Sequence, residues 1–265
     1  RTGLTPAGNG ENCMTIVLIH GNPETDAIWT DLVCELTDRS VTDLVLLSPP
    51  GFGASIPDGW GATQVEYRDW LIAELEDLTF GGNPVDLVGH DWGAGHVFGV
   101  LATRPDLAHS WACDCTGLVH PDYQWHDLAQ LWQTPDVGEQ VLDGMGAVSR
   151  EDWIANMGDN GVTEAAAADM ADALEAMTDC ILPLYRSGAQ PAMTKLGEIL
   201  AATDLPPGLA LDPTEDPYVG PPGRAAEMAD RLGACHAPMD GAGHWWMMER
   251  PEEAADLLVG FWASL

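Results

Sequence analysis

Asp91 lies in Gly89-His90-Asp91-Trp92-Gly93, directly after the apolar run Val85-Asp86-Leu87-Val88. Small residues two places on either side of a central residue let a chain turn sharply from a strand into a helix. The central side chain is then left exposed at the bend. The residue type at that bend limits the chemistry. A serine or cysteine there is acylated by esters or amides, whereas a carboxylate attacks an electrophilic sp³ carbon and becomes an alkyl ester on the protein. This points to opening an epoxide or displacing a halide. The bland reading of Asp91 is a cap on the helix that follows, but a cap gives Gly89 and Gly93 no reason to flank it so tightly.

Such a bend needs a strand before it and a helix after it, and the chain supplies both repeatedly. Met14–Ile19 and Val41–Leu47 are short β-branched runs ending in His20-Gly21 and Ser48-Pro49-Pro50-Gly51. Both read as buried parallel strands. Between them Ile28, Trp29, Leu32, Val33 and Leu36 mark one helical face. The alternation continues with a helix over Val65–Leu78, a strand over Val85–Val88, a helix over Gly93–Thr103 stopped by Pro105, and a strand over Ala108–Cys113. After Thr116 about eighty residues of helical character intervene. The sheet rhythm then returns with Leu209–Leu211, a helix over Arg224–Leu232, a strand over Ala234–Met239 and a closing helix over Glu252–Trp262. Strands alternating with helices predict an α/β fold, a mostly parallel sheet flanked by helices. We expect one core formed by residues 1–117 and 203–265, with residues 118–202 inserted as a helical cap above the carboxyl ends of the strands, where open α/β sheets bind ligands.

The 265 residues carry 42 acidic and 10 basic side chains, a formal charge of −32 spread along the whole chain, and Lys195 is the sole lysine. Nucleic acid and anionic membranes are excluded as partners, because both require a basic surface that displaces counterions. Self-repulsion on this scale is relieved by salt, which predicts adaptation to high ionic strength. No apolar stretch reaches membrane-spanning length, and Arg1–Asn12 lacks the apolar centre of a signal peptide, so a cytoplasmic protein is expected. The six cysteines lack the paired spacing of a zinc site and read as buried thiols. Cys113 and Cys115, two apart on a strand, should face one side, which disfavours a bond between them. No metal or organic cofactor is expected.

Five ordered motifs carry a resemblance over nearly the whole chain: His20-Gly21-Asn22-Pro23-Glu24, Pro50-Gly51-Phe52-Gly53-Ala54-Ser55, the bend at Asp91, the acidic loop at Asp216, and Gly243-His244-Trp245. In these the sequence resembles the α/β-hydrolase fold superfamily, in its epoxide hydrolase and haloalkane dehalogenase branch. The resemblance implies Asp91 as nucleophile, His244 as the base that activates water, and Asp216 as the acid that orients His244. Glu215 and Asp212 are the local alternatives for that acid and Asp114 the distant one, near the position many dehalogenases use. Backbone N–H groups of Trp92 and Asn22 would form the oxyanion hole.

The two branches differ in how the leaving atom is stabilised. Tyr185-Arg186 looks like the tyrosine that protonates an opening epoxide. A second such tyrosine is expected upstream of Trp132-Gln133-Thr134-Pro135, but Leu128 stands there; Tyr123 or His126 are the substitutes. Asn22 beside Trp92 instead resembles the halide-binding pair of dehalogenases. His20, Tyr123, His126 and Trp245 are candidate substrate contacts, with His20 more a brace for its loop. Trp125, Trp132, Trp153, Met145, Met157, Met170 and Met177 at helical spacing read as packing of the inserted helices before pocket lining. The expected activity is hydrolysis of a small apolar epoxide by water to a vicinal diol. The alternatives are haloalkane dehalogenation and a binding protein that keeps the fold without turnover.

Overall fold

A computed structural model describes residues 14–80 and 82–265. Cys13 and the Arg1–Asn12 segment read above for targeting lie outside them. The chain runs β1 (Ile16–Ile19), α1 (Thr30–Asp38), β2 (Leu44–Leu47), α2 (Gln64–Leu78), β3 (Val85–Gly89), α3 (Trp92–Thr103) and β4 (Ala108–Cys113). Five helices follow: α4 (Asp127–Gln133), α5 (Val137–Gly146), α6 (Arg150–Asp159), α7 (Glu164–Ser187) and α8 (Ala192–Ala201). The chain closes with β5 (Gly208–Pro213), α9 (Arg224–Leu232), β6 (Cys235–Met239), α10 (Trp246–Glu249) and α11 (Pro251–Trp262).

The six strands pair in the order β2-β1-β3-β4-β5-β6, all parallel. Because side chains alternate along a strand, each strand feeds both faces of the sheet. Val17 and Ile19 join Leu87, Trp111 and the inner faces of α2 and α3, while Ile16 and Leu18 join Val88, Leu211 and the inner faces of α1 and α11. This two-sided burial explains why the strands read as unbroken apolar runs. The 24-residue α7 spans both clusters: Met170 and Leu174 pack on one side, Ile181 and Leu184 on the other.

Three elements differ from the sequence reading. β4 ends at Cys113, and Cys115 stands in a left-handed turn (φ 50°), so the two thiols do not share a strand face. Cys34 and Cys235 are exposed, leaving Cys113, Cys115 and Cys180 as the buried thiols among the described residues. The short helix α10 had no separate signal, because its Trp-Trp-Met-Met run does not repeat long enough to show a period. No helix of the described residues is long and apolar enough to cross a membrane.

The order of strands decides where ligands meet the sheet. From β1 the chain goes outward to β2, then crosses back to β3 on the other side. Loops leaving β1 and β3 therefore diverge and open a crevice above their ends. Ile19 and Gly89 are register partners, which sets His20-Gly21-Asn22 beside Asp91. β5 and β6 are likewise neighbours, which sets the loop carrying Asp216 beside the loop carrying His244.

Candidate active site

The bend after β3 is built as its glycines require. Asp91 has φ 51° and ψ −122°, a conformation costly for a side-chain-bearing residue. A Cβ on Gly93 would collide with the Ile19 carbonyl, and one on Gly89 would lie 2.7 Å from Ala94 Cα. Asp91 makes no capping bond to α3. Its Oδ1 accepts instead a 2.9 Å hydrogen bond from the Asn22 N–H, and its own N–H donates to Asp114 Oδ1 at 3.0 Å. Burial pushes the Asp91 carboxyl up to about 6, against the downward pull of His244 and His90.

His244 Nδ1 bonds Asp216 Oδ2 at 2.7 Å, and Asp216 Oδ1 accepts the Tyr218 N–H at 2.8 Å. Burial opposes the His244 imidazolium, but the Asp216 and Asp91 carboxylates together outweigh it and the net shift is upward. The alternative acids lie elsewhere. Asp212 pairs with His236, and Glu215 is exposed. Asp114 accepts from His90 Nδ1, from the Trp246 indole at 2.6 Å and from the Asp91 N–H. It thus holds the bend from behind and does not bond His244.

That contact belongs to a buried network the sequence did not signal. His90 lies wholly buried between Asp114 and Glu24, whose Oε1 sits 3.0 Å from His90 Nε2. Glu24 also accepts from the Trp245 indole (2.7 Å) and the Gly21 N–H (2.9 Å). Burial alone would neutralise all three groups. The two carboxylates nevertheless raise His90 well above its ordinary value, and the His90 imidazolium draws Glu24 down to about 2. The His90 ring is 4.5 Å from the His244 ring, so its charge opposes protonation of His244.

Asp91 and His244 open onto one cavity of about 60 Å³, shared with Asn22, Pro23, His126, Leu128, Trp132, Tyr185, Tyr218 and Trp245. The Tyr185 hydroxyl accepts a 3.4 Å hydrogen bond from Asn22 Nδ2. The Trp92 indole lies beside the same hydroxyl and its Nε1 makes no hydrogen bond. Burial, with Asp91 adding to it, keeps the Tyr185 phenol protonated. His126 Nδ1 accepts the Ala129 N–H at 3.3 Å, capping α4, which assigns the ring proton to Nε2. Burial lowers His126 to about 4, so it is neutral near pH 7.

Two of the candidate contacts are corrected. Tyr123 does not line the cavity: its hydroxyl is spent on the Tyr218 carbonyl at 3.0 Å. His20 is fully buried, with Nδ1 3.1 Å from the Gly21 carbonyl oxygen, and does not line it either. Of the Trp and Met residues between β4 and β5, Trp132 alone of those named above reaches the cavity. Tyr218 was missed, because it sits in a Pro/acid-rich loop with no periodicity. Folding also gathers two buried donor clusters that chain spacing conceals, Glu24–His90–His244 and Cys115–Asp216–His244, each with its ligand atoms within 4.8 Å of one another.

The approach of Gly21 to the Asp91 carboxylate gives a direct test of this geometry. A Cβ at Gly21 would collide with Asp91 Oδ1, whereas one at Gly144 meets nothing within 4 Å. Gly21→Ala should lower kcat/KM by roughly 100-fold through misplacement of the carboxylate, with Gly144→Ala unchanged. Equal activities in the two variants would show that Gly21 does not set the position of Asp91.

A model of the Alpha/beta hydrolase family matches residues 16–257. A haloalkane dehalogenase of Mesorhizobium japonicum is 28% identical over 150 residues, half of this chain and 44% of that protein. An (E)-2-((N-methylformamido)methylene)succinate hydrolase of Acinetobacter baylyi is 32% identical over 105 residues, 40% of this chain and 37% of that protein. The chain thus aligns with less than half the length of these curated relatives. A solved loop variant of the haloalkane dehalogenase DbeA from Bradyrhizobium elkanii superposes with TM-score 0.71 at 20% identity, covering 96% of this chain and 92% of that one.

Proposed function

This chain belongs to the alpha/beta hydrolase family, and we propose that it hydrolyses small epoxides to vicinal diols through an alkyl ester on Asp91. In the first step Asp91 attacks a ring carbon while Tyr185 gives its proton to the departing oxygen. In the second, His244, oriented by Asp216, takes a proton from water. The resulting hydroxide attacks the ester carbonyl, with the Asn22 and Trp92 N–H groups as oxyanion donors; the ester C–O bond then breaks, and the protons on His244 and on the regenerated Asp91 carboxyl pass to the departing diol oxygen and back to Tyr185. Helices α4–α8, residues 118–202 with their flanking turns, act as the cap that supplies Tyr185 and excludes water. His126, with its proton on Nε2, is the second donor to the opening ring in place of a tyrosine at Leu128.

The observation that carries this reading is the Tyr185 hydroxyl bonded to Asn22 and set against Trp92. The pair of N–H donors that would cradle a halide converges on a phenol oxygen. A phenol that accepts from Asn22 Nδ2 has its own proton free for a leaving alkoxide. A dehalogenase reading draws on the same pair and on the named relatives, and it makes the opposite prediction. Tyr185→Phe should cut epoxide turnover by roughly 100-fold or more. A dehalogenase would keep or gain rate on a haloalkane when the hydroxyl is removed. Parallel rates on an aliphatic epoxide, a styrene-type epoxide and a haloalkane separate the two.

Salt adaptation rests on the −32 charge. Most of the ion pairs formed by arginines are exposed, as in Arg150–Asp172 and Arg104–Asp106, and contribute little individually. Screening of carboxylate repulsion is then the main response to salt. Thermal melts in low and molar KCl should show a rise in Tm well above that of a near-neutral control; an equal response would remove the proposal.

A further inference from the structure

Asp216 also lines a second cavity of about 270 Å³, which Asp91 does not line, together with Cys115, Thr116, Thr214, Val219 and Arg224. Its outer wall includes the exposed Glu215, Pro221 and Gly223, so it reaches the surface. The substrate cavity is lined by His244 and not by Asp216. The hydrogen-bonded Asp216–His244 pair therefore spans from one cavity to the other. At the inner end of the second cavity Cys115 Sγ, an Asp216 oxygen and a His244 nitrogen lie within 4.8 Å of one another, all buried. Thr116 Oγ1 is also buried on this wall and makes no hydrogen bond.

We propose that Cys115, Asp216 and His244 Nδ1 form an inhibitory site for a thiophilic divalent cation, zinc or cadmium, that enters from the second cavity and leaves the substrate cavity open. Thiolate, imidazole and carboxylate are the donor types that such ions select. Metal–ligand bonds of about 2.0–2.3 Å set tetrahedral donors roughly 3.3–3.8 Å apart, so closure by at most about 1.5 Å completes the set. The Nδ1–Oδ2 pair, now 2.7 Å apart, opens slightly as the metal replaces the proton between them. A water from the second cavity, which Thr116 also lines, takes the fourth position.

Protons balance simply. The Cys115 thiol loses its proton to solvent as its sulfur binds. The proton on His244 Nδ1 is displaced and Nε2 takes one up. With Nε2 protonated, His244 no longer accepts a proton from water, while Asp91 and Tyr185 are untouched. The consequence rests on the epoxide hydrolase reading: the metal arrests the cycle after the ester has formed and before water cleaves it. Metal binding itself does not depend on that reading.

The test uses cadmium, with Cys13 and with Cys34 and Cys235, the exposed thiols among the described residues, replaced by Ser in every sample. Titration of Cd²⁺ should produce an ultraviolet sulfur-to-cadmium charge-transfer band that Cys115→Ala lacks, with affinity lower by about 100-fold or more in that variant. Cadmium-113 NMR of the Cys115-containing protein gives a second readout, a resonance for one sulfur with nitrogen and oxygen donors. With an epoxide present, Cd²⁺ should stop diol release, add the substrate mass to the protein and be reversed by EDTA. The Cys115→Ala enzyme should turn over and resist it. An identical band in both proteins, a resonance with no sulfur donor, or equal inhibition of both overturns the site. A Cys115-dependent band without any alkylated protein, on any epoxide tried, keeps the site and counts against the epoxide reading.

Discussion

His244→Gln is expected to stop with the substrate attached. The variant keeps Asp91 and Tyr185, so the first step proceeds, and the protein should gain the intact mass of the epoxide. Diol formation should fall by roughly 1,000-fold or more, since base catalysis of the second step is lost. Glutamine fills much of the imidazole volume but accepts no proton at neutral pH. The His90 imidazolium behind it remains fixed by Glu24 and Asp114. Peptide mapping should locate the adduct on Asp91. An unmodified mass, with a substrate that the parent turns over, would remove His244 as the base. In the parent the second step should also weaken with acid, because the upward-shifted His244 becomes protonated as pH falls and loses its acceptor.

Asp91→Asn should abolish turnover, by roughly 10,000-fold or more, and should raise stability. The carboxyl titrates near 6 in the folded protein against 3.8 ordinarily. The folded state thus holds this proton more tightly than the unfolded chain. Ionising Asp91 therefore costs stability as pH rises from 3.8 to about 6, and the full cost applies above that. The amide carries no such cost, and a gain on the order of 2 kcal/mol is expected at pH 7. Tm of the two proteins should diverge between pH 4 and 7 and converge below it. The same shift sets the acid limb of alkylation in the parent, whose single-turnover rate should fall about tenfold for each pH unit below 6. A variant that is inactive but no more stable at pH 7 would mean that Asp91 is not held at a cost; slow recovery of activity would report deamidation back to Asp.

The bend at Asp91 and the α/β rhythm were legible because both rest on local constraints. Gly89 and Gly93 are dictated by close approach to Ala94 and to the Ile19 carbonyl, and buried parallel strands must be apolar on both faces. The pairing of Asp216 with His244 was legible from motif order. What chain order cannot give is the use to which a side chain is put. Tyr185 reads as the ring-opening acid and Tyr123 as a substitute for the second donor, yet the Tyr123 hydroxyl is consumed by the Tyr218 carbonyl while Tyr185 lies in the cavity. Asp114 was weighed as a triad acid and instead braces His90 and the Asp91 N–H.

The sequence by itself determined the strand-and-helix alternation, the carboxylate at the bend and the charge of the surface, since each follows from residue type and short-range spacing. Only the tertiary structure decided which acids other than Asp216 face a histidine. It alone buried His90 between Glu24 and Asp114, turned Tyr185 onto Asn22 and Trp92, and set the Cys115 thiol near Asp216 and His244. Those relations join residues 24 to 163 positions apart in the chain. Hydrogen bonding and burial act through space, and the sheet order that brings such residues together is a property of the whole packed core.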